Sequence, residues 1–337
     1  MTHLHLAPME GVVDHQVRDL MTRIGGIDGC VTEFVRVVAQ RLPRRAFHRL
    51  APELANNCLT PAGIPVKLQL LGGQPAPMAD NAARAVIAGA NAIDLNFGCP
   101  AKTVNKSDGG ACLLRQPERV YDIVKAVRDA VPATISVSAK IRLGFDARDN
   151  YLENARAVEA AGADTLVVHA RSKADGYRPP AYWECIGEIN QQIQIPVIAN
   201  GEIWSVADYL RCREQSGCAD VMLGRGLLAC PDLGLQIKAH LAGKEYTPMS
   251  WLEVCTLLRH YFELCRPNYP EKFAGNRIKQ WLMYLRRQYP EANLFFETIK
   301  RVQQSDVLLT HFDAQLGPPN GDYAALNAAP IPQQSLL

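Results

Sequence analysis

Residue 99 is a cysteine in the run Asp94-Leu95-Asn96-Phe97-Gly98-Cys99-Pro100, where a short apolar strand gives way to a tight turn. Most free cysteines are inert packing residues. A thiol at the C-terminal end of a strand in a parallel α/β barrel is different, because that fold builds its active sites there. Other polar residues close apolar runs in the same way: Gln69, Asn96, Lys140, Arg142, His169, Asn200 and Arg225. One such residue is explained by a satisfied core group, whereas seven on successive strand ends describe a rim. The residue types suggest chemistry. Lys140 suits either a Schiff-base amine or a charge beside a cofactor. Gln69, which both donates and accepts hydrogen bonds, suits the pyrimidine-like edge of a flavin, and His169 suits a flavin or substrate oxygen. Asn200-Gly201-Glu202 and Gly224-Arg225-Gly226 follow the last two strands, where barrels commonly bind phosphate through backbone N–H groups. Ala7-Pro8-Met9-Glu10-Gly11 offers an apolar surface to a flat ring.

These residues need a scaffold that brings strand ends together. Apolar, β-branched runs at residues 3–7, 29–33, 66–71, 92–96, 135–141, 165–169, 196–200 and 220–223 alternate with helix-period segments. That alternation predicts an α/β fold, a closed (β/α)8 TIM barrel. Helices are expected near residues 14–24, 37–48, 78–88, 117–131, 150–160, 182–191, 205–214 and 233–241. The pattern stops after Gly243, and a C-terminal all-helical domain follows. Its first helix opens on Ser250 and Glu253, a capping box, and carries the stripe Val254, Leu257, Leu258, Tyr261 and Phe262. A second, around residues 274–288, buries Ile278, Trp281, Leu282 and Leu285, with Arg277, Lys279, Arg286 and Arg287 flanking the stripe. The expected division is a catalytic barrel over residues 1–243, a helical domain over 248–316 and a flexible tail over 317–337.

Bulk properties narrow the field. With 36 Lys and Arg against 34 Asp and Glu, the net charge of +2 excludes a polycation, so affinity for nucleic acid must come from a local patch such as the C-terminal helices. The 10 cysteines include no Cys-x-x-Cys pair and no zinc spacing, so no metal is expected. No apolar run approaches the ~20 residues that span a bilayer, and a strand starting at residue 3 leaves no room for a signal peptide. A cytoplasmic protein without a membrane partner is expected.

Seven motifs in order along the chain resemble the tRNA-dihydrouridine synthase family: Ala7-Pro8-Met9-Glu10-Gly11, Val66-Lys67-Leu68-Gln69-Leu70, Asp94 to Pro100, Lys140-Ile141-Arg142-Leu143-Gly144, Val168-His169-Ala170-Arg171, Ile198-Ala199-Asn200-Gly201 and Gly224-Arg225-Gly226. Each is weak alone; their joint occurrence is specific. Glu33-Phe34-Val35-Arg36-Val37, Lys102-Thr103-Val104-Asn105 and Arg277-Ile278-Lys279-Gln280-Trp281-Leu282 extend the resemblance to the C subgroup, associated with position 16 of the tRNA D-loop. Thr103 and Ser172 depart from the broader family pattern, which has a basic residue and a threonine there.

The resemblance implies an enzyme that reduces uridine in tRNA to 5,6-dihydrouridine with FMN and a reductant, NADPH or NADH; no obligate protein partner is evident in the sequence, so a monomer is expected. It implies that Pro8, Met9 and Glu10 wrap the flavin ring, that Gln69 and Lys140 bond its edge, and that His169, Asn200, Gly201, Glu202, Gly224 and Arg225 complete the site towards its phosphate. Asn96 and Arg142 would face the uracil, with Tyr177 and Arg178 nearby; Arg36, Arg277 and Lys279 would contact tRNA. Cys99 would be the catalytic proton donor. A thiol suits that role, because its ordinary pKa of about 8.5 keeps it protonated at neutral pH yet acidic enough to serve a developing enolate. Three alternatives remain at this point: a dihydroorotate dehydrogenase-like flavin enzyme acting on a free pyrimidine, a non-redox aldolase or isomerase using Lys140, and a catalytically inactive tRNA-binding module.

Overall fold

The computed structural model describes residues 2–317; of the expected tail, 318–337 lie outside the described residues. The chain forms two compact units. Among the described residues, one comprises those up to Gly11, Asp28–Ile203 and Ala207–Gly224; the other comprises Val12–Ile27, Trp204–Val206 and those from Arg225 onward.

The first unit is an eight-stranded parallel barrel. Its strands are β1 (Leu4–Leu6), β2 (Gly29–Val31), β3 (Val35–Arg36), β4 (Val66–Leu71), β5 (Ala92–Asn96), β6 (Ser136–Arg142), β7 (Thr165–His169), β8 (Val197–Asn200) and β9 (Asp220–Leu223). All pairings are parallel; β9 pairs with β1, and β2 pairs with β4, which closes the ring. The two-residue β3 lies outside that ring and pairs only with the end of β4. Short strands buried on both faces explain the near-continuous apolar runs. Ala7, Val31, Val167, Ile198 and Met222 form one cluster of this core.

Two local expectations change. The run 29–33 ends as a strand at Val31, and a second short strand follows at Val35–Arg36. The helix expected over residues 37–48 begins only at Arg44. Pro43 is its N-cap, and a proline ring inside a helix would clash with the preceding turn.

In the second unit the capping box is formed: Glu253 N donates to Ser250 Oγ, and Ser250 N donates to Glu253 Oε2 at 2.7 Å. The helix it starts runs Trp251–Cys265, and Val254, Leu257, Leu258, Tyr261 and Phe262 are all buried. The segment expected as one helix over 274–288 is divided. Glu271–Ala274 and Asn276–Leu285 are separate helices with Gly275 between them, and the second ends at Leu285. Pro290–Ile299 and Ser305–Leu316 complete the helical region, joined through Phe295 and Phe312 with ring centroids 5.1 Å apart. Among the described residues no helix is long and apolar enough to cross a membrane.

Candidate active site

Strand register assembles the rim. Gln69 of β4 is level with Asp94 of β5, Asn96 with Lys140 of β6, Arg142 with His169 of β7, and His169 with Asn200 of β8. Residues separated by tens of positions in sequence therefore stand on neighbouring strands of one barrel.

The Cys99 turn is built from Asn96. Its Oδ1 accepts the backbone N–H groups of Gly98 and Cys99, both at 2.9 Å, and its Nδ2 donates to Gln69 Oε1 at 2.8 Å. Asn105 Nδ2 donates to the Cys99 carbonyl at 3.0 Å. Cys99 and Ala101 pack on Phe34, Leu71 and Val104. Gly110 is obligatory behind the turn: its φ is +67°, and a Cβ there would lie 2.9 Å from the Cys99 carbonyl oxygen. Burial pushes the Cys99 thiol above the usual range, the Ala101 N–H pulls it partly back, and Glu10 adds to the rise. The thiol is therefore protonated at neutral pH.

Gln69 is completely buried. Its Nε2 donates to Asp94 Oδ2 at 2.7 Å while its Oε1 accepts from Asn96. One amide hydrogen is left to address anything at the rim. Lys140 Nζ donates to Asn200 Oδ1 at 2.8 Å, and Asn200 Nδ2 donates to the Met222 carbonyl at 2.8 Å. Asn200 thus orients Lys140, whose ammonium has two further hydrogens to offer, and keeps one amide hydrogen of its own. Burial, helped by the nearby Arg142, brings Lys140 down to about 7.

Gly201, at φ +120°, lies so close to His169 that a Cβ would meet its ring at 2.8 Å. Trp183 Nε1 holds the Gly201 carbonyl at 2.9 Å. Glu202 follows in the left-handed region at φ +57°, and its carboxylate pairs with the fully buried Arg171. Arg171 Nε also donates to the carbonyls of Arg178 and Pro180, at 2.7 and 3.1 Å. Its Nη1 is buried without a hydrogen-bond partner.

Arg142 bridges two loops. Nε donates to the Gly98 carbonyl at 2.8 Å, and Nη1 donates to the carbonyls of Ser172 and Gly176 at 3.2 and 3.1 Å. The Tyr177 ring, 52% exposed, lies 5.2 Å from the Arg142 Cζ. Arg178 is exposed, with Nη2 3.3 Å from the Ala174 carbonyl. Arg36 is exposed and donates to the Thr103 carbonyl at 3.1 Å. Pro8 and Met9 are half-buried and Glu10 exposed; the Met9 sulfur lies 3.7 Å from where a Cβ on Gly224 would stand.

The remaining residues singled out from sequence belong to the second unit. Arg277 is spent internally: Nη2 donates to Asp14 Oδ2 at 2.6 Å and to the Val12 carbonyl at 2.9 Å, Nε to Tyr261 Oη at 3.0 Å, and Nη1 to Gln280 Oε1 at 3.0 Å. Lys279 Nζ donates to the Val302 carbonyl at 2.6 Å. Arg225 lies over the Trp204 indole at 5.0 Å and Arg287 over the same ring at 4.0 Å. These three residues, with Met283, Tyr284, Arg286 and Asn293, line an open recess of about 540 Å³.

Sequence reading gave no role to Asp94, Ser138, Arg171 or Trp204. A visible signal existed for two of them: a carboxylate inside the apolar strand Ala92–Asn96, and an arginine two residues past the end of β7. For Ser138 and Trp204 no local pattern distinguishes them.

The dihydrouridine synthase family model matches residues 5–316. A tRNA-dihydrouridine(16) synthase of Pseudomonas putida is 54% identical over 296 residues, covering 88% of this chain and 92% of that protein. The protein of the same name from Shewanella oneidensis is 50% identical over 295 residues, covering 88% and 92%. Among solved structures, histamine dehydrogenase from Rhizobium sp. 4-9 superposes with a TM-score of 0.52 at 13% identity, covering 78% of this chain and 49% of that one, a likeness of fold alone. Because the family match runs from the first barrel strand to the last helix, and relatives about half identical follow it along nearly their whole length, this chain belongs to the dihydrouridine synthase family.

Proposed function

We propose that this chain is a tRNA-dihydrouridine(16) synthase: a cytoplasmic, monomeric enzyme that reduces uridine 16 of the tRNA D-loop to 5,6-dihydrouridine with FMN and NADPH or NADH. The observation that carries the reading is Cys99, a protonated thiol on a turn locked by Asn96 and set beside the Gln69, Lys140 and Asn200 rim of one barrel. Incubating the purified protein with tRNA lacking dihydrouridine, with FMN and NADPH, should place dihydrouridine at position 16. No product, or product at another position only, would overturn the assignment.

The donor chemistry fits a flavin. Lys140 presents an oriented, half-buried ammonium, Gln69 one remaining amide hydrogen, and Gly201 a backbone free of a side chain, the groups that an electron-rich ring edge and an anionic tail require. In this reading Pro8, Met9 and Glu10 flank the ring, Gln69 and Lys140 hold its edge, and His169, Asn200, Gly201 and Glu202, with Gly224 and Arg225 at the end of β9, serve its phosphate side. A reduced flavin held by these residues would supply the hydride for one carbon of the uracil double bond. Cys99 gives its proton to the neighbouring carbon from the opposite face, while Asn96 and Arg142 hold the base and Tyr177 and Arg178 its flanks. The uridine must leave the D-loop stack to arrive there, at a cost of a few kcal/mol that contacts elsewhere on the RNA offset.

The purified protein should therefore be yellow, or should take up added FMN, and Lys140→Ala should lose it. A protein that neither carries nor takes up FMN would end the flavin reading. Lys140 titrates at about 7. It is charged below that pH, so FMN affinity should be flat there and fall as the pH rises, by up to about tenfold per unit. Lys140→Gln should abolish that dependence; a pH-independent wild-type affinity would remove Lys140 from the flavin edge.

We assign the helical region over 248–316 to tRNA binding and residues 1–243 to catalysis. Arg286 and Arg287, beside Trp204 in the second-unit recess, form no ion pair among the described residues and suit RNA phosphates. Arg277 and Lys279 orient the helix that presents them, and Arg36 adds a contact on the barrel. Replacing Arg286 or Arg287 by alanine should flatten the dependence of log affinity on log salt by somewhat less than one unit each, for all tRNAs alike. An unchanged slope would make them an ordinary solvated face.

A further inference from the structure

Five hydrogen bonds form one directional chain from the barrel interior to the catalytic turn. Ser138 Oγ and Gln69 Nε2 donate to the two oxygens of Asp94, each at 2.7 Å. Gln69 Oε1 accepts from Asn96 Nδ2 at 2.8 Å, and Asn96 Oδ1 accepts the N–H groups of Gly98 and Cys99. A primary amide has two nearly isosteric orientations, and only its partners decide between them. Among the side chains of the chain the Asp94 carboxylate alone can only accept, on both oxygens, and at the far end the Gly98 and Cys99 N–H groups can only donate. Asp94 is buried.

We propose that Asp94 is a positioning residue: it forces the Gln69 amide to point its NH2 inward, which forces Asn96 to donate to Gln69 and so to turn its own oxygen onto the Cys99 backbone. With Gln69 reversed, its NH2 would face the NH2 of Asn96, and Asn96 would rotate and present donors to two backbone donors. The turn would then lose both bonds that define it. Burial raises the Asp94 carboxyl, while Gln69, Ser138, Lys67 and Lys140 act against that rise. The ionised carboxylate fixes the direction; a protonated Asp94 keeps it when it accepts from Gln69 on one oxygen and donates to Ser138 Oγ with the other.

The same logic sets the test. Asparagine at 94 can present either its oxygen or its NH2 to Gln69, so Asp94→Asn should loosen the turn, though less than Asp94→Leu, which removes the directional end altogether. Hydrogen exchange on the full-length protein should show the Gly98 and Cys99 amides of Asp94→Leu exchanging about tenfold faster or more, with the other barrel strands unchanged. Gln69→Met cuts the chain one bond further along and should do the same, which covers failure of the Asp94→Leu protein to fold. Dihydrouridine formation by Asp94→Leu should fall roughly 10- to 100-fold, with FMN still bound. Unchanged exchange at Gly98 and Cys99 in both Asp94→Leu and Gln69→Met would overturn the proposal. The catalytic half rests on the reading of Cys99 as proton donor, and the exchange half does not. Fast exchange in Asp94→Leu, with an unsubstituted protein that itself makes no dihydrouridine, would therefore count against the function; normal exchange in Asp94→Leu, with an active unsubstituted enzyme, would count against Asp94.

Discussion

Cys99→Ala should keep FMN and its reduction by NADPH but slow dihydrouridine formation by roughly 10²–10⁴, the contribution expected of a positioned acid. Three features place the expectation on this thiol. Its backbone is pinned by Asn96 and Asn105. It packs on Phe34, Leu71 and Val104, so its side chain is held rather than mobile. Burial and Glu10 keep it protonated at neutral pH, against a smaller opposing pull from the Ala101 N–H. Loss of rate should accordingly appear only on the alkaline side, above the ordinary thiol range. Cys99→Ser should also be slow, because a hydroxyl is a far weaker acid. Stopped-flow flavin reduction, followed by tRNA-dependent reoxidation, separates the two half-reactions. Normal reoxidation by tRNA in Cys99→Ala would remove the thiol from the mechanism.

Arg277→Ala should destabilise the second unit by about 3 kcal/mol, the lower end for breaking a buried pair, because Asp14 keeps partial solvent access. The guanidinium is only 12% exposed and pairs with Asp14 Oδ2, while Asp14 Oδ1 caps the His15–Ile24 helix through the Val17 N–H at 3.0 Å. Truncation leaves a carboxylate facing the vacated space, together with the Tyr261 hydroxyl and the Val12 carbonyl that the guanidinium had satisfied. Arg277→Lys should recover only part of this, since one ammonium cannot span four acceptors. Urea unfolding with an unchanged midpoint would show that the pair is dispensable. Weakened tRNA binding in a variant of full stability would instead show that Arg277 meets the RNA directly.

The barrel was legible because its signal is local. Each βα unit repeats the same alternation of buried run and helix-period segment, and a polar residue closing each run needs no knowledge of its neighbours. The motifs around Cys99, Lys140 and Asn200 therefore identified both family and rim. The helical stripes Val254 to Phe262 and Ile278 to Leu285 were legible for the same reason, as periodicity along one segment. Pro43 and Gly275, both visible in the sequence, marked where two helices were drawn too long.

Partnerships belong to another level. Gln69 looked like a group with both ends available to a ligand, yet strand register brings Asp94 and Asn96 within 2.8 Å and occupies most of its capacity. Arg277, one of several basic residues beside an apolar stripe, faces Asp14 across 263 positions and is consumed there. Arg171 and Glu202 each sit in a recognisable motif, but only folding pairs them. The order of residues along this chain determined the barrel, the helices and the position of the thiol, because backbone periodicity and turn chemistry act over a few residues. Tertiary structure alone decided which polar groups face a ligand and which are spent on one another, because a buried donor or acceptor must find its partner wherever the fold brings one.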